Sequence, residues 1–350
     1  MGTIKAIERV KGWARRCAAE LYALSPRYLA PLQGKVVILT YHRVLSPADV
    51  RRQFVQAGMY VVDSVFESHV RFLTRHFKVV AFSELLRLWS TGEWDPASRY
   101  CVVTFDDGWI DTYQCAFPIL RRHGVPATVF LPTSFIGTRK WFWPEIVGWL
   151  LATMLQRDRA ERQSVVKTLR QSFSWLAPAA ECLLRGNVDA VIEHFKGQDQ
   201  DQIDNCVEKW MGLMRLNWPT DRLLMTWDEA REMQLAGIEF GSHSVSHRIM
   251  TKLSRESMLR EAKDSLAALR KERLNPIPVF CYPNGDWLVE VAERVQAAGY
   301  KAATTTEFGY ESRTPTTMFG LKRVSIHHDI TSTDSLFAFH LVGFNNRAST

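Results

Sequence analysis

The chain has 350 residues, of which 46% are hydrophobic and 23% charged, a balance typical of a globular enzyme with a sizeable core. Its formal net charge is +7, but seven bases against two acids in residues 1–35 supply +5 of it, which argues against a nucleic-acid-binding surface spread over the fold. The six cysteines follow no repeated spacing, which favours buried free thiols in a reducing compartment over a disulfide framework.

Residues 3–24 are predicted to form an amphipathic helix. Apolar residues recur at helical spacing, with the bases on the other side, and they are Ile4, Ile7, Val10, Trp13, Ala14, Cys17 and Leu21. Two interpretations stay open: a helix lying on an anionic inner membrane surface with Trp13 in the interface, or a helix packed on its own domain. No apolar run has signal-peptide length, so we expect a cytoplasmic protein, which under the first interpretation is peripheral on the inner membrane face.

Strands and helices then alternate along the chain. The predicted strands are 35–44, 78–82, 102–105 and 126–132, and the predicted helices are 66–77, 83–89 and 111–123. This alternation predicts parallel strands joined by right-handed crossovers, hence a barrel-like α/β core over 35–134 and 226–330. The active site of such a barrel lies at the carboxyl ends of its strands.

The strand 102–105 ends abruptly in Asp106, Asp107 and Gly108. An isolated Asp-Asp-Gly triplet is also typical of a solvated turn. At the end of a buried strand, however, a freed turn lets both carboxylates face one cavity with different tasks.

His243 and His247 follow a short strand-like run, 237–241. Histidines four apart are predicted to lie on one face of a helical turn, where they hold one cation between them. A carboxylate and two imidazoles complete an open three-ligand metal site, and the second carboxylate is then available as a base. The same ligands also suit iron and oxygen chemistry, which remains an alternative.

Residues 135–225 interrupt the alternation with a helical block. It holds six of the twelve tryptophans, namely Trp141, Trp143, Trp149, Trp175, Trp210 and Trp218. Either it is a lid that binds a sugar ring or a lipid-linked end, or it is an insertion with its own small core. The alternation resumes with helices at 227–235, capped by Thr226, and 254–273, and the tail 331–350 is uninformative.

The stretches 104–108 and 243–247 resemble the first two signature motifs of the polysaccharide deacetylase family (carbohydrate esterase family 4, NodB-like). The resemblance covers 36–134 and 226–329. It implies a NodB-like distorted (β/α) barrel with a helical insertion. It also implies that Asp106 is the catalytic base and that Asp107, His243 and His247 bind a divalent metal, zinc first, with cobalt, nickel or iron as alternatives.

Residues 281–285 resemble the third motif of that family, usually Arg-x-Pro-Tyr-Gly, but depart from it. Cys281 stands at the arginine position and Asn284 at the tyrosine position. Since the arginine normally buttresses the base, Arg323 is the candidate replacement, and the backbone of Asn284 is the expected oxyanion donor. Tyr282 and Trp109 are assigned to the substrate site.

Two parts of the chain compete for the role of general acid. The Tyr-His pair ending in His42 resembles the first strand of the biofilm poly-N-acetylglucosamine deacetylases, where this histidine is the acid. Residues 324–329 resemble the fifth motif, in which His327 or His328 would serve, and at most one of the two faces the site. His42 is favoured, because the first-strand Tyr-His usually accompanies a third motif without arginine.

The expected reaction is removal of the acetyl group from an N-acetylated sugar, lipid-linked or part of a surface polysaccharide. The missing signal peptide and the basic first helix favour a lipid-linked sugar at the cytoplasmic membrane face. A deformylase of a lipid-linked amino sugar and a catalytically inactive glycan-binding relative are the alternatives. No nucleic-acid partner is predicted.

Overall fold

The structure is a computed structural model that describes residues 2–53 and 55–344. The side chains of residues 2–11 and 57 lie outside this description, as does the tail beyond 344. Three members of the predicted apolar helix face, Ile4, Ile7 and Val10, are therefore outside the described side chains.

The strands of the described residues are β1 (Val36–Tyr41), β2 (Arg43–Leu45), β3 (Tyr60–Val62), β4 (Lys78–Val79), β5 (Tyr100–Phe105), β6 (Thr128–Leu131), β7 (Glu239–Ser242), β8 (Val279–Cys281), β9 (Ala302–Phe308) and β10 (Leu321–Ser325). The α-helices are α1 (Gly2–Ala23), α2 (Pro47–Arg52), α3 (Asp63–His76), α4 (Phe82–Thr91), α5 (Phe117–His123), α6 (Trp143–Leu155), α7 (Arg159–Ser172), α8 (Ala180–Arg185), α9 (Val188–Lys196), α10 (Gln200–Met214), α11 (Trp227–Leu235), α12 (Arg255–Lys271), α13 (Val289–Ala297), α14 (His328–Thr331) and α15 (Asp334–Leu341).

Seven parallel strands close into a barrel in the order β1, β10, β9, β8, β7, β6, β5, and β5 pairs back onto β1. The short β4 pairs with the start of β5. Every residue of β1 and β5 is buried, as expected for parallel strands covered on both faces. The predicted barrel is thus confirmed, and its parallel strands deliver their carboxyl ends to a single rim.

The chain divides into two compact units. One consists of Met1–Pro47, Ala57–Thr138 and Leu224–Thr350 and contains the barrel; the other consists of Ala48–Gln56 and Arg139–Leu223 and contains α6 to α10. The second unit has its own hydrophobic core, which includes Trp210. Four more tryptophans pack against this core, namely Trp141, Trp143, Trp149 and Trp175. Only Trp218 of the six is largely exposed, so a lid function of this unit stays a prediction.

Of the two predicted helix N-caps, Thr226 is confirmed and Ser83 is not. Thr226 caps α11 through a capping box, in which its hydroxyl accepts from the N–H of Glu229 and the Glu229 carboxylate accepts from the N–H of Thr226. The predicted Ser83 cap is wrong, because α4 already begins at Phe82 and the Ser83 hydroxyl donates to Glu239 instead.

The six cysteines are all free, and Cys101, Cys206 and Cys281 are buried. Among residues 2–53 and 55–344, no helix combines the length and the hydropathy that crossing a bilayer requires.

Candidate active site

The predicted site residues follow the carboxyl ends of neighbouring barrel strands. His42 follows β1, Asp106 and Asp107 follow β5, and His243 follows β7. The strands β1 and β5 pair in register to their last residues, so His42 and Asp106 lie at the same level of the rim. The closed barrel therefore gathers residues that are about 200 positions apart in the sequence.

The second of the adjacent acids and the glycine after it both have left-handed backbone conformations, which turn the chain sharply after Asp106. Asp107 has a φ of 72° and Gly108 a φ of 69°. Aspartate tolerates this conformation better than most residues. Glycine suits the second position, because its φ is left-handed and a Cβ on Gly108 would lie 2.6 Å from a methyl carbon of Leu131. The turn lets the buried carboxylates of Asp106 and Asp107 take different partners.

Asp107 meets both predicted histidine ligands. Its Oδ1 lies 3.4 Å from Nε2 of His243 and 3.2 Å from Nε2 of His247, and the three donor atoms lie within 4.8 Å of one another. Two ligands about 2.1 Å from one tetrahedral ion stand about 3.4 Å apart. The donor atoms are therefore already at coordination spacing, and a carboxylate with two imidazoles suits zinc and neighbouring divalent metals.

Further hydrogen bonds orient these donors. Nδ1 of His243 lies 2.8 Å from the Cys281 carbonyl oxygen, so Nδ1 donates its proton to that oxygen and the ring is oriented with Nε2 toward Asp107. The indole N–H of Trp109 donates to Oδ2 of Asp107 at 3.0 Å. Trp109 is 1% exposed, with the Arg43 guanidinium 4.6 Å from its ring centre. The predicted substrate contact of Trp109 is therefore corrected: its indole orients a ligand carboxylate.

The loop 243–247 is not helical, so the predicted helical turn is wrong. Ser244 and His247 have φ values of 68° and 56°. The carboxylate of Glu261, on α12, accepts the N–H groups of Val245 and Ser246 at 2.8 Å each, and also the Ser246 hydroxyl. In a helix these N–H groups would donate to backbone carbonyls four residues earlier. Here the Glu261 carboxylate accepts them instead, which stabilises the non-helical loop.

Asp106 is bound by Arg323, which lies on β10 and points into the barrel. Two parallel hydrogen bonds of 2.8 Å join the guanidinium to the two carboxylate oxygens. Arg323 also donates to the Thr305 carbonyl at 2.7 Å and to Sγ of Cys281 at 3.3 Å. The predicted replacement for the third-motif arginine thus contacts the predicted base, and Cys281 contacts that replacement.

Both carboxylates are ionised despite their burial. Burial acts to raise the pKa of Asp106, but the charge and hydrogen bonds of Arg323 lower it below the ordinary value. Burial also opposes ionisation of Asp107, yet hydrogen bonds from His243 and His247 hold its pKa well below the ordinary value. Near neutrality the site therefore presents two carboxylates, one on a guanidinium and one on imidazoles.

The structure distinguishes the two candidates for the general acid. Burial lowers the pKa of His42, while the charges of Asp107 and Asp106 oppose that shift, so this ring lies within electrostatic range of both acids. His328 begins α14, and its ring stacks on Tyr60 at 5.8 Å. Burial lowers its pKa as well, and only Asp329 opposes the shift. His327 pairs with the same Asp329. The role of His42 as general acid stays a prediction, which its electrostatic interaction with both acids supports.

The third-motif residues have different surroundings. Tyr282 is completely buried, and its hydroxyl donates to the Phe319 carbonyl at 3.0 Å. A substrate contact by Tyr282 is therefore wrong, because the side chain belongs to the hydrophobic core. Asn284 is exposed in the 3₁₀ turn Pro283–Gly285 with a φ of 62°, and its side chain donates to Asp286. Its role as oxyanion donor stays a prediction.

Sequence reasoning missed several supporting residues. Glu261 and the Cys281 carbonyl had no motif to mark them. Arg43 and Asp111 form a buried ion pair of 2.8 Å next to Trp109. The sequence did contain a signal for this pair. Arg43 is a charged residue within an apolar strand, and a buried charge is stable only when it is paired with an opposite one.

Comparison with known sequences matches a family profile to this chain. The profile described as polysaccharide deacetylase matches residues 95–172 and 178–303, more than half of the chain. The matched ranges contain Asp106, Asp107, His243 and His247. His42 and Arg323 lie outside them, so this match does not bear on their roles.

Individual relatives match over shorter stretches. YxkH of Bacillus subtilis is 31% identical over 104 residues, 30% of this chain and 34% of the relative. The poly-beta-1,6-N-acetyl-D-glucosamine N-deacetylase of Staphylococcus aureus is 30% identical over 122 residues, 32% of this chain and 41% of the relative. The chain thus spans about a third to two fifths of the length of these relatives.

Solved structures resemble the whole fold. The deacetylase PplD of Streptococcus pyogenes, in complex with acetate, has a TM-score of 0.54 at 20% identity, over 85% of this chain and 94% of that one. IcaB from Ammonifex degensii also has a TM-score of 0.54, at 15% identity, over 87% of this chain and 97% of that one. At such identities the likeness shows the fold.

Proposed function

The chain belongs to the polysaccharide deacetylase family, and on this premise we propose that it is a metal-dependent hydrolase that removes the N-acetyl group from an amino-sugar residue. One observation carries the proposal. Nε2 of His243 and Nε2 of His247 lie 3.4 Å and 3.2 Å from Asp107 Oδ1, while the neighbouring Asp106 is paired with Arg323. A binding module has no need of a base beside a metal site.

The residues present fit a divalent ion. Asp107, His243 and His247 would hold it, and zinc is the first candidate because carboxylate and imidazole donors at this spacing match its preference. When bound, the ion would polarise the amide carbonyl and lower the pKa of a coordinated water.

Asp106 acts as the base. Its carboxylate takes the proton of the attacking water, and Arg323 keeps it ionised and fixed in orientation through two 2.8 Å hydrogen bonds. Each carboxylate oxygen has a second acceptor site besides the one that Arg323 occupies. The base therefore receives a proton without giving up its partner.

His42 completes the reaction as general acid. Amide cleavage needs a proton on the departing nitrogen, and His42 ends the strand paired with the one that carries the base. The half-buried ring is in electrostatic range of Asp106 and Asp107. The backbone N–H of Asn284 is the proposed donor to the oxyanion.

For the substrate we take the class named for the Staphylococcus aureus relative, a β-1,6-linked polymer of N-acetylglucosamine. Presentation of the sugar on a lipid carrier, at a membrane surface, is the finer form of the proposal. A basic first helix supports it, since residues 1–35 carry +5 of the net charge.

The test is acetate release by the full chain, with zinc, from β-1,6-linked N-acetylglucosamine oligomers, their β-1,4-linked counterparts and a lipid-linked N-acetylhexosamine. Release that stops with chelator and returns with zinc supports the proposal. Formate release from N-formyl substrates without acetate release would replace it with a deformylase. No release from any of the substrates, with metal bound, would contradict it.

A further inference from the structure

Helix α1 contacts the rest of the chain through one side. Ala19 is completely buried there, and the Tyr22 ring meets Phe339 at 5.8 Å and Phe344 at 4.9 Å between ring centres. Arg15 lies about 40° from Ala19 around the helix axis, on the same side of α1. This side therefore packs α1 against α15 and its surroundings.

The apolar side of α1 is a different one. Trp13 is 69% exposed, Leu21 is 70% exposed, and Leu24, directly after the helix, is 78% exposed. At about 100° per residue, Trp13 and Leu21 point within about 80° of each other, and Ala19 points at least about 120° away from both. Large side chains of this kind normally cover a core, and here they form an outward face, which we name the α1 face.

The surroundings of the α1 face are basic. Arg16 and Arg27 are exposed in the same segment, beside the single exposed acid Glu20 of the described side chains there, and the sequence of residues 1–35 as a whole carries a charge of +5. Apolar and aromatic side chains next to arginines match a bilayer surface, where tryptophan lies at the headgroup level and arginine pairs with anionic lipids. A second copy of the chain fits less well, since it would bring like charges together.

We propose that the α1 face, Trp13, Leu21 and Leu24, binds the surface of an anionic bilayer. The three side chains enter the boundary between headgroups and acyl chains, and Arg16 and Arg27 lie at the headgroup level. The helix then lies in the plane of the surface, while its Ala19 side stays packed on the protein. This inference is independent of the proposed reaction.

The experiment is flotation of the full chain with phosphatidylcholine vesicles, with and without phosphatidylglycerol. We expect binding to the anionic vesicles only, lost in high salt. The triple variant Trp13→Ala, Leu21→Ala, Leu24→Ala should bind about tenfold more weakly or worse, because three apolar anchors are removed. Leu235→Ala is the matched control, since Leu235 is 89% exposed on α11, and it should bind like the wild type.

A second variant separates the charge from the apolar contact. Arg16→Glu with Arg27→Glu should lose the preference for anionic vesicles while its thermal unfolding is unchanged. Wild-type protein that floats with neither vesicle would overturn the inference, and so would a triple variant that binds as well as the wild type. A wild-type dimer that the triple variant converts to a monomer would assign the α1 face to a second copy instead.

Discussion

The site has two halves, which we name the base half, around Asp106, and the ligand half, around Asp107, and the two adjacent carboxylates have different partners in them. In the base half, Asp106 is paired with the permanently charged Arg323 inside the barrel. In the ligand half, Asp107 is paired with His243 and His247, whose Nε2 atoms both face its Oδ1 and are suited to share a cation with it. The residue type is the same, and the partners distinguish the proposed base, Asp106, from the proposed metal ligand, Asp107.

The difference teaches how one strand end produces two functions. The Arg323 guanidinium donates to both oxygens of the Asp106 carboxylate. Because a guanidinium does not lose its proton at ordinary pH, its positive charge keeps Asp106 ionised. Nε2 of both imidazoles faces Oδ1 of Asp107, while the Trp109 indole N–H donates to Oδ2. The left-handed turn at Asp107 and Gly108 is what sends the two side chains to these separate surroundings.

The largest effect is expected from Asp106→Asn. This variant should lose about 10²–10⁴-fold in turnover, because the amide cannot take the proton of the attacking water, while bound zinc stays at the wild-type level. Deacetylation kinetics and metal analysis of the same preparation measure both. Asp107→Asn is the matched variant one residue away, and it should lose metal together with activity. If Asp106→Asn lost metal as well, the two halves would not be separate.

Arg323→Met tests the base half for stability. Removing one partner of a buried ion pair should lower the free energy of unfolding by about 3–5 kcal/mol, because Asp106 is left charged and unpaired. Urea unfolding measures this change. In the double variant with Asp106→Asn, part of that loss should be recovered, since no unpaired charge remains. A double variant less stable than Arg323→Met alone would contradict the explanation.

A buried histidine outside the site, His69, shows the opposite behaviour to the two carboxylates: burial keeps it uncharged, whereas Asp106 and Asp107 are buried and charged. His69 bonds the Tyr41 hydroxyl and the Thr331 carbonyl, and burial lowers its pKa to about 4. The unfolded chain binds this proton near pH 6.5, so stability should fall as the pH drops from about 6.5 to about 4, by on the order of 3 kcal/mol.

Urea unfolding at several pH values checks this dependence. His69→Gln should show a shallower loss across that window. His340, whose pKa burial also lowers to about 4, provides the matched variant His340→Gln. An unchanged slope in both variants would refute the assignment.

The smallest effect is expected from Glu261→Gln in the ligand half. A glutamine accepts fewer of the loop hydrogen bonds that hold His247 in place, so zinc affinity should fall by about 10–100-fold. Turnover at saturating zinc should stay close to the wild type. Glu256→Gln, at an exposed position of the same helix, is the control for competition titrations. Equal affinities in the two variants would remove Glu261 from the ligand half.

Part of this site could be predicted from the sequence. The apolar strand ending in Asp106 and Asp107 predicted the rim, and its resemblance to a known motif distinguished base from ligand. Arg323 was predicted from the absence of arginine at position 281. Tyr282 and Trp109 were misassigned, because nothing in a motif shows whether a neighbouring aromatic side chain points into solvent or into the core.

The amino-acid sequence by itself determined the alternation of strands and helices, the family motifs and the basic first segment, because these are local patterns of residue type. Only the tertiary structure decided which side chains meet. Barrel closure brings β10 next to β1, so Arg323 reaches Asp106 across more than 200 residues, and left-handed turns aim Asp107 and His247 at one point. Such contacts depend on strand register and on single backbone angles, which hydrophobic periodicity does not encode.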